Sequence, residues 1–516
     1  MDKIPEAPLK ETSRRSFLKG AAMAAGGAVA LTILGGVRSG AAQAPAPPLA
    51  KIVSPAMTAL HDLSAAELSA AFGRKTLSPV EVADEVITHI QKWEPHLCAT
   101  YAFDPQGVRQ AARASERRWR KGAPLSALDG VPVTIKENIA TRGVPIPAGT
   151  AATALVPAPE DAPPAARLRQ AGCVILCKTT MPDFGMLTSG LSSFHCLTRN
   201  PWNLDRNPGG SSAGAAAGAA AGYGPLHLGT DIGGSIRLPA GLCGIFGLKP
   251  SLGRIPIKPP FPGRVAGPMT RTVTDAAMMM VELTKPDWRD TMSLPWQGFD
   301  WMNLDMDIRG LRIGLQLHPG WGLEPDPETV AAIVAAARTF AQAGANVEPL
   351  APFTTREMID GLDRFWRMRS YLDIAALPLE RLLPYIRQWA STGATMTARE
   401  VFHGLSQMGA IREATVAATH PFDFVLSPVN PVPHYPADWA SPVNDPARPF
   451  EHIPFTLPFN MSEQPAASIN CGYTSSGAPI GLQIAGRRHD DLGVLRLARL
   501  WERMRPKQRP WPIPPA

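Results

Sequence analysis

A single serine stands at the centre of an unusually glycine-rich stretch, GTDIGGSIRLPAGLCG, which runs from Gly229 to Gly244. Glycine loses more backbone freedom on folding than any other residue, so ordering five glycines around Ser235 is costly. Glycines also let several backbone N–H groups point one way. Converging N–H groups beside a serine hydroxyl can stabilise the oxyanion that forms when the serine attacks a carbonyl. The alternative is a glycine-rich turn that carries its serine by chance.

Two further segments carry residues suited to the same chemistry. Ser211 and Ser212 in NPGGSSAG lead directly into the helical pattern AGAAAGAAAG, so they lie where the helix dipole favours negative charge. Lys136 ends the apolar segment VPVTI, and sheet enzymes bind their ligands at the carboxyl ends of strands. Each feature also has a simpler interpretation, since serine is a common helix N-cap and a lysine head can reach solvent.

Together the three segments resemble the amidase signature family. They read GVPVTIKEN, GGSSAG and GTDIGGSIR; 75 positions separate Lys136 from Ser211, and 24 separate Ser211 from Ser235. Other segments similar to that family are TTMPDFG, TRNPW, GIFGLKPS, GPMTRTVTDAA and FNMSEQPAASINCGYTSSGAPIGLQIAGRRHDD. The resemblance covers residues 58–505, which makes it far more specific than any single motif.

The resemblance implies a Ser-Ser-Lys triad that hydrolyses a carboxylic amide through an acyl-enzyme. Ser235 would be the nucleophile, Ser211, next to a cis peptide bond, would relay protons, and Lys136 would be the base. The oxyanion would be held by the backbone N–H groups of Ile232, Gly233, Gly234 and Ser235. Three residues would support the site from behind, namely Ser212, Asp231 and Arg237. Glu137 occupies a position where the family more often has aspartate. The resemblance implies no metal or cofactor.

The resemblance also implies which segments line the substrate channel. They are the loop that contains Met186 and Leu187 and a helical insertion at residues 356–420. Their apolar and aromatic content favours small apolar or aryl amides, with esters and carbamates as alternatives.

A lysine base makes one physical demand on the fold. Free lysine has a pKa of ~10.4, so deprotonating it at pH 7 costs roughly 4.6 kcal/mol. Burial among apolar residues can supply a shift of this size, because desolvation disfavours the ammonium. The apolar neighbours Val131, Val133 and Ile135 are consistent with burial. The sequence therefore predicts that Lys136 is buried, with no carboxylate within hydrogen-bonding reach.

Three rival interpretations remain open. GSSAG also fits the G-x-S-x-G nucleophile elbow, which would make Ser212 the nucleophile and require a later histidine. The candidates are His420, His434, His452 and His489. An elbow must follow a strand, however, and the preceding TRNPWNLDRNP is typical of a loop. The second rival is the glutamine-hydrolysing A-type component of tRNA-dependent amidotransferases, which resembles the same segments. The third is an inactive binding protein on this scaffold.

Helix and strand patterns alternate along most of the chain. This alternation predicts an α/β fold, with a large mixed, twisted sheet covered by helices on both faces. We expect one catalytic domain over residues 58–506, followed by a Pro-rich tail at 507–516. Capping-box patterns at Ser64 and Ser78 predict two helix starts near its beginning.

The N-terminus has the pattern of an export signal. Residues 1–44 contain paired arginines (Arg14 and Arg15), a weakly apolar run and small residues before a cleavage site, and 45–57 is a linker. We therefore expect export by the twin-arginine route to the periplasm or the medium. The net charge is +7 for the whole chain, and residues 1–44 contribute three of these charges (six Lys/Arg against three Asp/Glu). The remaining +4 gives no reason to expect nucleic acid as a partner. A soluble monomer or homodimer that acts on a small amide is expected.

The six cysteines show no metal-binding spacing. Cys173 and Cys177 flank an apolar segment typical of a strand, where four residues span ~13 Å, too far for a disulfide. Buried free thiols are therefore expected, although an exported protein can form disulfides.

Overall fold

The computed structural model describes residues 59–515, so the predicted export signal and the whole predicted linker lie outside the described residues. Among these residues eleven strands form one sheet: β1 (Thr100–Tyr101), β2 (Pro132–Lys136), β3 (Val174–Thr179), β4 (Leu226–Asp231), β5 (Phe246–Lys249), β6 (Val265–Thr270), β7 (Arg312–Leu315), β8 (Asn346–Pro349), β9 (Phe424–Pro428), β10 (Ala466–Tyr473) and β11 (Pro479–Gly486).

The helices found in the same part of the chain are α1 (Ala65–Gly73), α2 (Pro79–Leu97), α3 (Pro105–Arg120), α4 (Pro163–Gln170), α5 (Ala213–Ala221), α6 (Arg237–Cys243), α7 (Val273–Leu283), α8 (Pro327–Gln342), α9 (Arg356–Ile374), α10 (Pro384–Ser391), α11 (Ala398–Thr419), α12 (Leu457–Met461) and α13 (Asp491–Met504). Both predicted capping boxes are present, at the starts of α1 and α2. No helix within 59–515 combines the length and apolar character that crossing a bilayer requires.

The strands lie in the order β1-β3-β2-β4-β6-β5-β10-β11-β9-β7-β8. The pairs β3/β2, β2/β4, β9/β7 and β7/β8 are parallel, and the other pairs are antiparallel. The sheet is therefore mixed, which confirms the predicted fold class. Lys136 ends β2 in the parallel part, where the ends of β2 and β4 lie at the same edge.

Apolar layers cover both faces of the sheet. Ala266 of β6 belongs to the main core, which includes residues of α2, α7 and α13. Met269 of β6 belongs to a second core with four alanines of α5 and Cys243 of α6. Residues three apart on a strand point to opposite faces, so the two cores lie on either side of the sheet. The second layer carries α5 and α6, the two helices that follow the candidate serines.

The predicted helical insertion at 356–420 consists mainly of α9, α10 and α11. Its apolar residues Trp366 and Trp389 pack with Phe450 and Leu457 in a third cluster beside the second core. The insertion is therefore joined to the rest of the fold through aromatic side chains that end near the glycine-rich loop.

The cysteine prediction is correct for four residues and wrong for two. Cys173, Cys177, Cys243 and Cys471 are buried free thiols. Cys98 and Cys196 form a disulfide, with Cα atoms 5.8 Å apart. They are 98 residues apart in the chain, and the fold brings the end of α2 against the loop before Asn200. Sequence spacing carries no signal for such a pairing.

Candidate active site

Lys136 is buried at the end of β2, with 0% of its surface exposed. Its Nζ donates a hydrogen bond to Ser211 Oγ at 2.7 Å. Burial lowers the pKa of Lys136 to about 7, although the charges of Asp231 and Glu137 act in the opposite direction. Among the described residues no carboxylate oxygen lies within salt-bridge distance of Nζ. The predicted environment of a neutral lysine is therefore present.

Ser211 lies just before α5 and follows a cis Gly210–Ser211 peptide bond. The next residue, Ser212, is completely buried. Its hydroxyl is hydrogen bonded to the backbone of Thr230, to the carbonyl at 3.2 Å and to the N–H at 3.3 Å. Its own N–H donates to the carbonyl of Ser235 at 3.2 Å. Ser212 therefore ties two segments together. The nucleophile-elbow interpretation is not supported, because within residues 59–515 no histidine is hydrogen bonded to this hydroxyl.

Ser235 lies in the loop between β4 and α6 and is partly exposed. Asp231, the last residue of β4, accepts hydrogen bonds from Gly234 N at 2.8 Å and Ile236 N at 3.2 Å. Gly234 has a φ of +132°, and a Cβ there would lie 2.5 Å from Thr456 Oγ1, so only glycine fits. The Asp231 carboxylate therefore sets the curvature of the loop.

The backbone N–H groups of this loop fall into two classes. Gly234 N–H is already taken up by Asp231. Within residues 59–515, the N–H groups of Ile232, Gly233 and Ser235 have no protein acceptor, and all three residues line one pocket together with Ser211. Three of the four predicted amides are thus available to an oxyanion in this structure, and the fourth supports the loop.

Asp231 and Arg237 form a completely buried ion pair behind the loop, with N–O distances of 3.0 Å. Arg237 also donates to Thr456 O, Gln483 Oε1 and Asn460 Oδ1. Burial alone would raise the pKa of Asp231, but Arg237 and further positive charge hold it at about 2. A buried carboxylate with this many donors stays ionised and rigid. Sequence reasoning identified the pair and missed its partners from the C-terminal part of the chain.

Glu137 and His195 form a second buried pair next to Lys136. Glu137 Oε2 is hydrogen bonded to His195 Nε2, and Oε1 accepts from Gly149 N at 2.7 Å. Both carboxylate oxygens of Glu137 are thus hydrogen bonded to groups other than Lys136 Nζ. His195 was not identified from the sequence, since a lone histidine in FHCLT carries no motif.

The pocket in front of Ser235 encloses about 1000 Å³, open solvent at its mouth included. Met186 and Leu187 line it, as the resemblance implied. The remaining apolar wall is formed by Phe184, Trp366, Tyr385, Trp389 and Phe450. Two arginines, Arg264 and Arg369, also lie in the wall and were not anticipated. In the described part of the chain no group of three or more His, Cys, Asp or Glu side chains could hold a metal ion.

Comparisons with known proteins agree with this geometry. The family model described as "Amidase" matches residues 81–495. The chain is 34% identical to the A-type component of the glutamyl-tRNA(Gln) amidotransferase of Myxococcus xanthus, over 86% of this chain and 97% of that protein. It is 32% identical to an acylamidase of Rhodococcus erythropolis, over 87% and 96% of the two chains.

A solved structure gives the same assignment. The crystal structure of a bacterial aryl acylamidase of the amidase signature family has a TM-score of 0.79 and 29% identity, covering 87% of this chain and 97% of that one. With the family model spanning most of the chain and the fold matching over 87% of it, the chain belongs to the amidase signature family of amide-hydrolysing enzymes.

Proposed function

We propose that this protein hydrolyses amides through an acyl-enzyme on Ser235, with Ser211 as the proton relay and Lys136 as the base. The observation that carries the proposal is the buried hydrogen bond of 2.7 Å between Lys136 Nζ and Ser211 Oγ, in a pocket that Ser211 shares with Ser235. Burial that lowers the pKa of Lys136 to about 7 makes the neutral amine available near neutral pH.

The reaction then follows from these groups. The neutral Lys136 amine accepts the Ser211 proton while Ser211 accepts that of Ser235, and Ser235 Oγ forms a bond to the amide carbon. The free N–H groups of Ile232, Gly233 and Ser235 donate to the oxyanion. The relay returns the proton to the leaving nitrogen as the C–N bond breaks. Water then attacks the ester, releasing the carboxylic acid and restoring Ser235.

The substrates we propose are small amides that carry an apolar or aryl group. The aromatic wall of the pocket, which includes Trp366, Trp389 and Phe450, supports this choice, since flat rings pack well on such surfaces. Similarity to an aryl acylamidase structure at 29% identity points the same way. Esters and carbamates are alternatives. The second candidate function is hydrolysis of glutamine, which the similarity to the A-type component of an amidotransferase favours.

The test is a hydrolysis panel with purified protein. It includes aryl anilides, aliphatic amides, esters, carbamates and glutamine. We expect turnover of aryl or apolar amides that Ser235→Ala abolishes. Ser212→Ala serves as a comparison, because it removes the neighbouring hydroxyl without removing the proposed nucleophile. Turnover that survives in Ser235→Ala would contradict the proposal. Turnover of glutamine alone would favour the second candidate.

We further propose that residues 1–44 direct export by the twin-arginine route. The paired Arg14 and Arg15 ahead of an apolar run support this. We expect the protein in the periplasmic or secreted fraction, with a new N-terminus between residues 41 and 45. Replacing both arginines by lysine should retain it in the cytoplasm. Uncleaved wild-type protein in the cytoplasmic fraction would contradict export.

A further inference from the structure

Arg264 and Arg369 differ from the most deeply buried arginines of this chain. Both line the pocket in front of Ser235. Arg237 and Arg254, which are buried elsewhere, pair with the carboxylates of Asp231 and Asp491. In the described residues, neither Arg264 nor Arg369 has a carboxylate within salt-bridge distance. Two guanidinium groups in a shared pocket wall, neither of them paired with a carboxylate at contact distance, are costly unless an anion binds there.

The two arginines lie side by side. The guanidinium carbon of Arg369 lies 4.5 Å from the ring centroid of Phe261, and that of Arg264 lies 5.7 Å from the same centroid. Burial and then the positive charge of Arg369 lower the pKa of Arg264 to about 10. Both groups therefore stay charged at neutral pH and repel each other. Asp373, one turn beyond Arg369 on α9, acts in the opposite direction on the pKa of both arginines, as Asp290 does on that of Arg264. In the described part of the chain, however, neither carboxylate lies within salt-bridge distance of these guanidinium groups.

Both arginines also lie close to the loop that carries the nucleophile. Arg264 immediately precedes β6, whose first residue, Val265, pairs with Asp231 at the start of the loop. Arg369 lies one helical turn after Trp366, whose ring is 3.5 Å from the Cβ position of Gly233. An anionic group held by this pair would therefore lie in the same pocket as the carbonyl that Ser235 attacks.

The rest of the pocket contains little negative charge. Asp231 is the one acidic residue among those that line it, and its carboxylate is held by Arg237. His452, which also lines it, is neutral, since burial lowers its pKa to about 3. The net charge of the wall is therefore positive. A positively charged group on the substrate would have no partner here.

We propose that Arg264 and Arg369 bind a carboxylate carried by the substrate, so that the natural substrate is an anionic amide. The inference rests on the proposed function and narrows its substrate class. Arginine presents a planar fork of donors that matches a carboxylate. The aromatic wall holds the apolar part of such a molecule, and the arginine pair orients its charged end.

The test compares matched charged and neutral amides. In the first pair the carboxylate is on the acyl side, 4-carbamoylbutanoate against pentanamide. In the second it is on the amine side, N-benzoylglycine against N-propylbenzamide. We expect wild-type kcat/KM to favour the charged member of at least one pair by tenfold or more. Hydrogen bonds between charged groups of this kind contribute roughly 10- to 100-fold. The ratio of kcat/KM for the charged amide to that for its neutral counterpart should therefore fall by that factor in Arg264→Gln and in Arg369→Gln.

The matched control is Arg399→Gln, which removes an exposed arginine of α11 outside the pocket wall and should leave the ratio unchanged. Glutamine is a further comparison, since it is 4-carbamoylbutanoate with an added ammonium group. We expect it to be the poorer substrate of the two, because the ammonium would face two arginines.

The outcomes separate the two proposals. Suppose that neutral amides are hydrolysed through Ser235 but neither charged amide has a higher kcat/KM than its neutral counterpart. The arginine inference is then wrong and the amidase proposal stands. The same conclusion follows if the charged-to-neutral ratio of kcat/KM is unchanged in both Arg264→Gln and Arg369→Gln. If no amide is turned over, the proposed function fails. Binding of N-benzoylglycine to Ser235→Ala, measured by calorimetry, then decides the inference alone. If the double variant Ser235→Ala/Arg369→Gln binds N-benzoylglycine as tightly as Ser235→Ala does, the arginine inference is wrong.

Discussion

Replacing the buried base should remove activity and at the same time stabilise the protein. The pKa of Lys136 falls from its usual 10.5 to about 7 on folding. At roughly 1.36 kcal/mol per pKa unit, this desolvation costs the folded state roughly 4–5 kcal/mol at pH 7. Lys136→Met removes that cost but leaves Ser211 without its 2.7 Å partner, a loss of about 1–3 kcal/mol. The net expectation is a gain of about 1–4 kcal/mol.

The assay is thermal unfolding of both proteins across pH. In a chain of this size 1 kcal/mol shifts the melting temperature by about 1 °C, so Lys136→Met should melt about 1–4 °C higher at pH 7. Between pH 7 and 10.5 unfolded wild-type protein binds a proton at Lys136 that the folded protein has released. Raising the pH therefore stabilises wild type relative to Lys136→Met. The advantage of the variant should vanish before pH 10.5 and then reverse, because the lost hydrogen bond to Ser211 remains when the desolvation cost has gone.

The same variant should lose about 10²- to 10⁴-fold in kcat, the range typical of a general base. Lys178→Met is the control, since Lys178 is also buried with a pKa of about 7 but contacts Ile139 O and Thr141 outside the site. It should retain turnover. A Lys136→Met protein that stays active, or that melts lower than wild type by an amount independent of pH, would refute the reasoning.

Three further expectations rest on the same geometry. Because only neutral Lys136 accepts a proton, kcat/KM should rise with pH through about 7 and then level off; a rate independent of pH from 5 to 9 would contradict this. Asp231→Asn breaks the buried pair with Arg237 and should cost about 3–5 kcal/mol in urea unfolding; a change below 1 kcal/mol would argue against the pair as the support of the loop. Replacing Cys98 and Cys196 by serine should cost up to about 4–5 kcal/mol, and reduced wild-type protein should match that variant in melting temperature.

Local patterns were the part of the structure that the sequence predicted best. The capping boxes at Ser64 and Ser78 are complete within four residues, so they could be identified without knowing the fold. The end of β2 at Lys136 follows from a short apolar run, and the burial of Lys136 follows from the chemistry expected of a base. The resemblance supplied what local patterns could not, namely that Lys136, Ser211 and Ser235 belong to one site.

Contacts between distant segments could not be predicted in this way. Cys98 and Cys196 meet because the fold brings the end of α2 to a loop, and no spacing rule describes that approach. The partner of Glu137 is a histidine without a motif. Arg264 and Arg369 come from the start of a strand and from the middle of an inserted helix. Their common position in the pocket wall emerges only when the β4–β6 register and the packing of α9 are known.

The support of the glycine-rich loop has a consequence for the order of events during synthesis. Arg237 takes its acceptors from Thr456, Asn460 and Gln483, between 219 and 246 residues later in the chain. A ribosome that has made the first 450 residues has already supplied all three triad side chains. Until the last tenth of the polypeptide emerges, however, the guanidinium of Arg237 lacks most of its acceptors and cannot be buried at low cost. We therefore expect the protein to hydrolyse amides only when its chain is nearly complete. Partial translation products should have no hydrolytic activity.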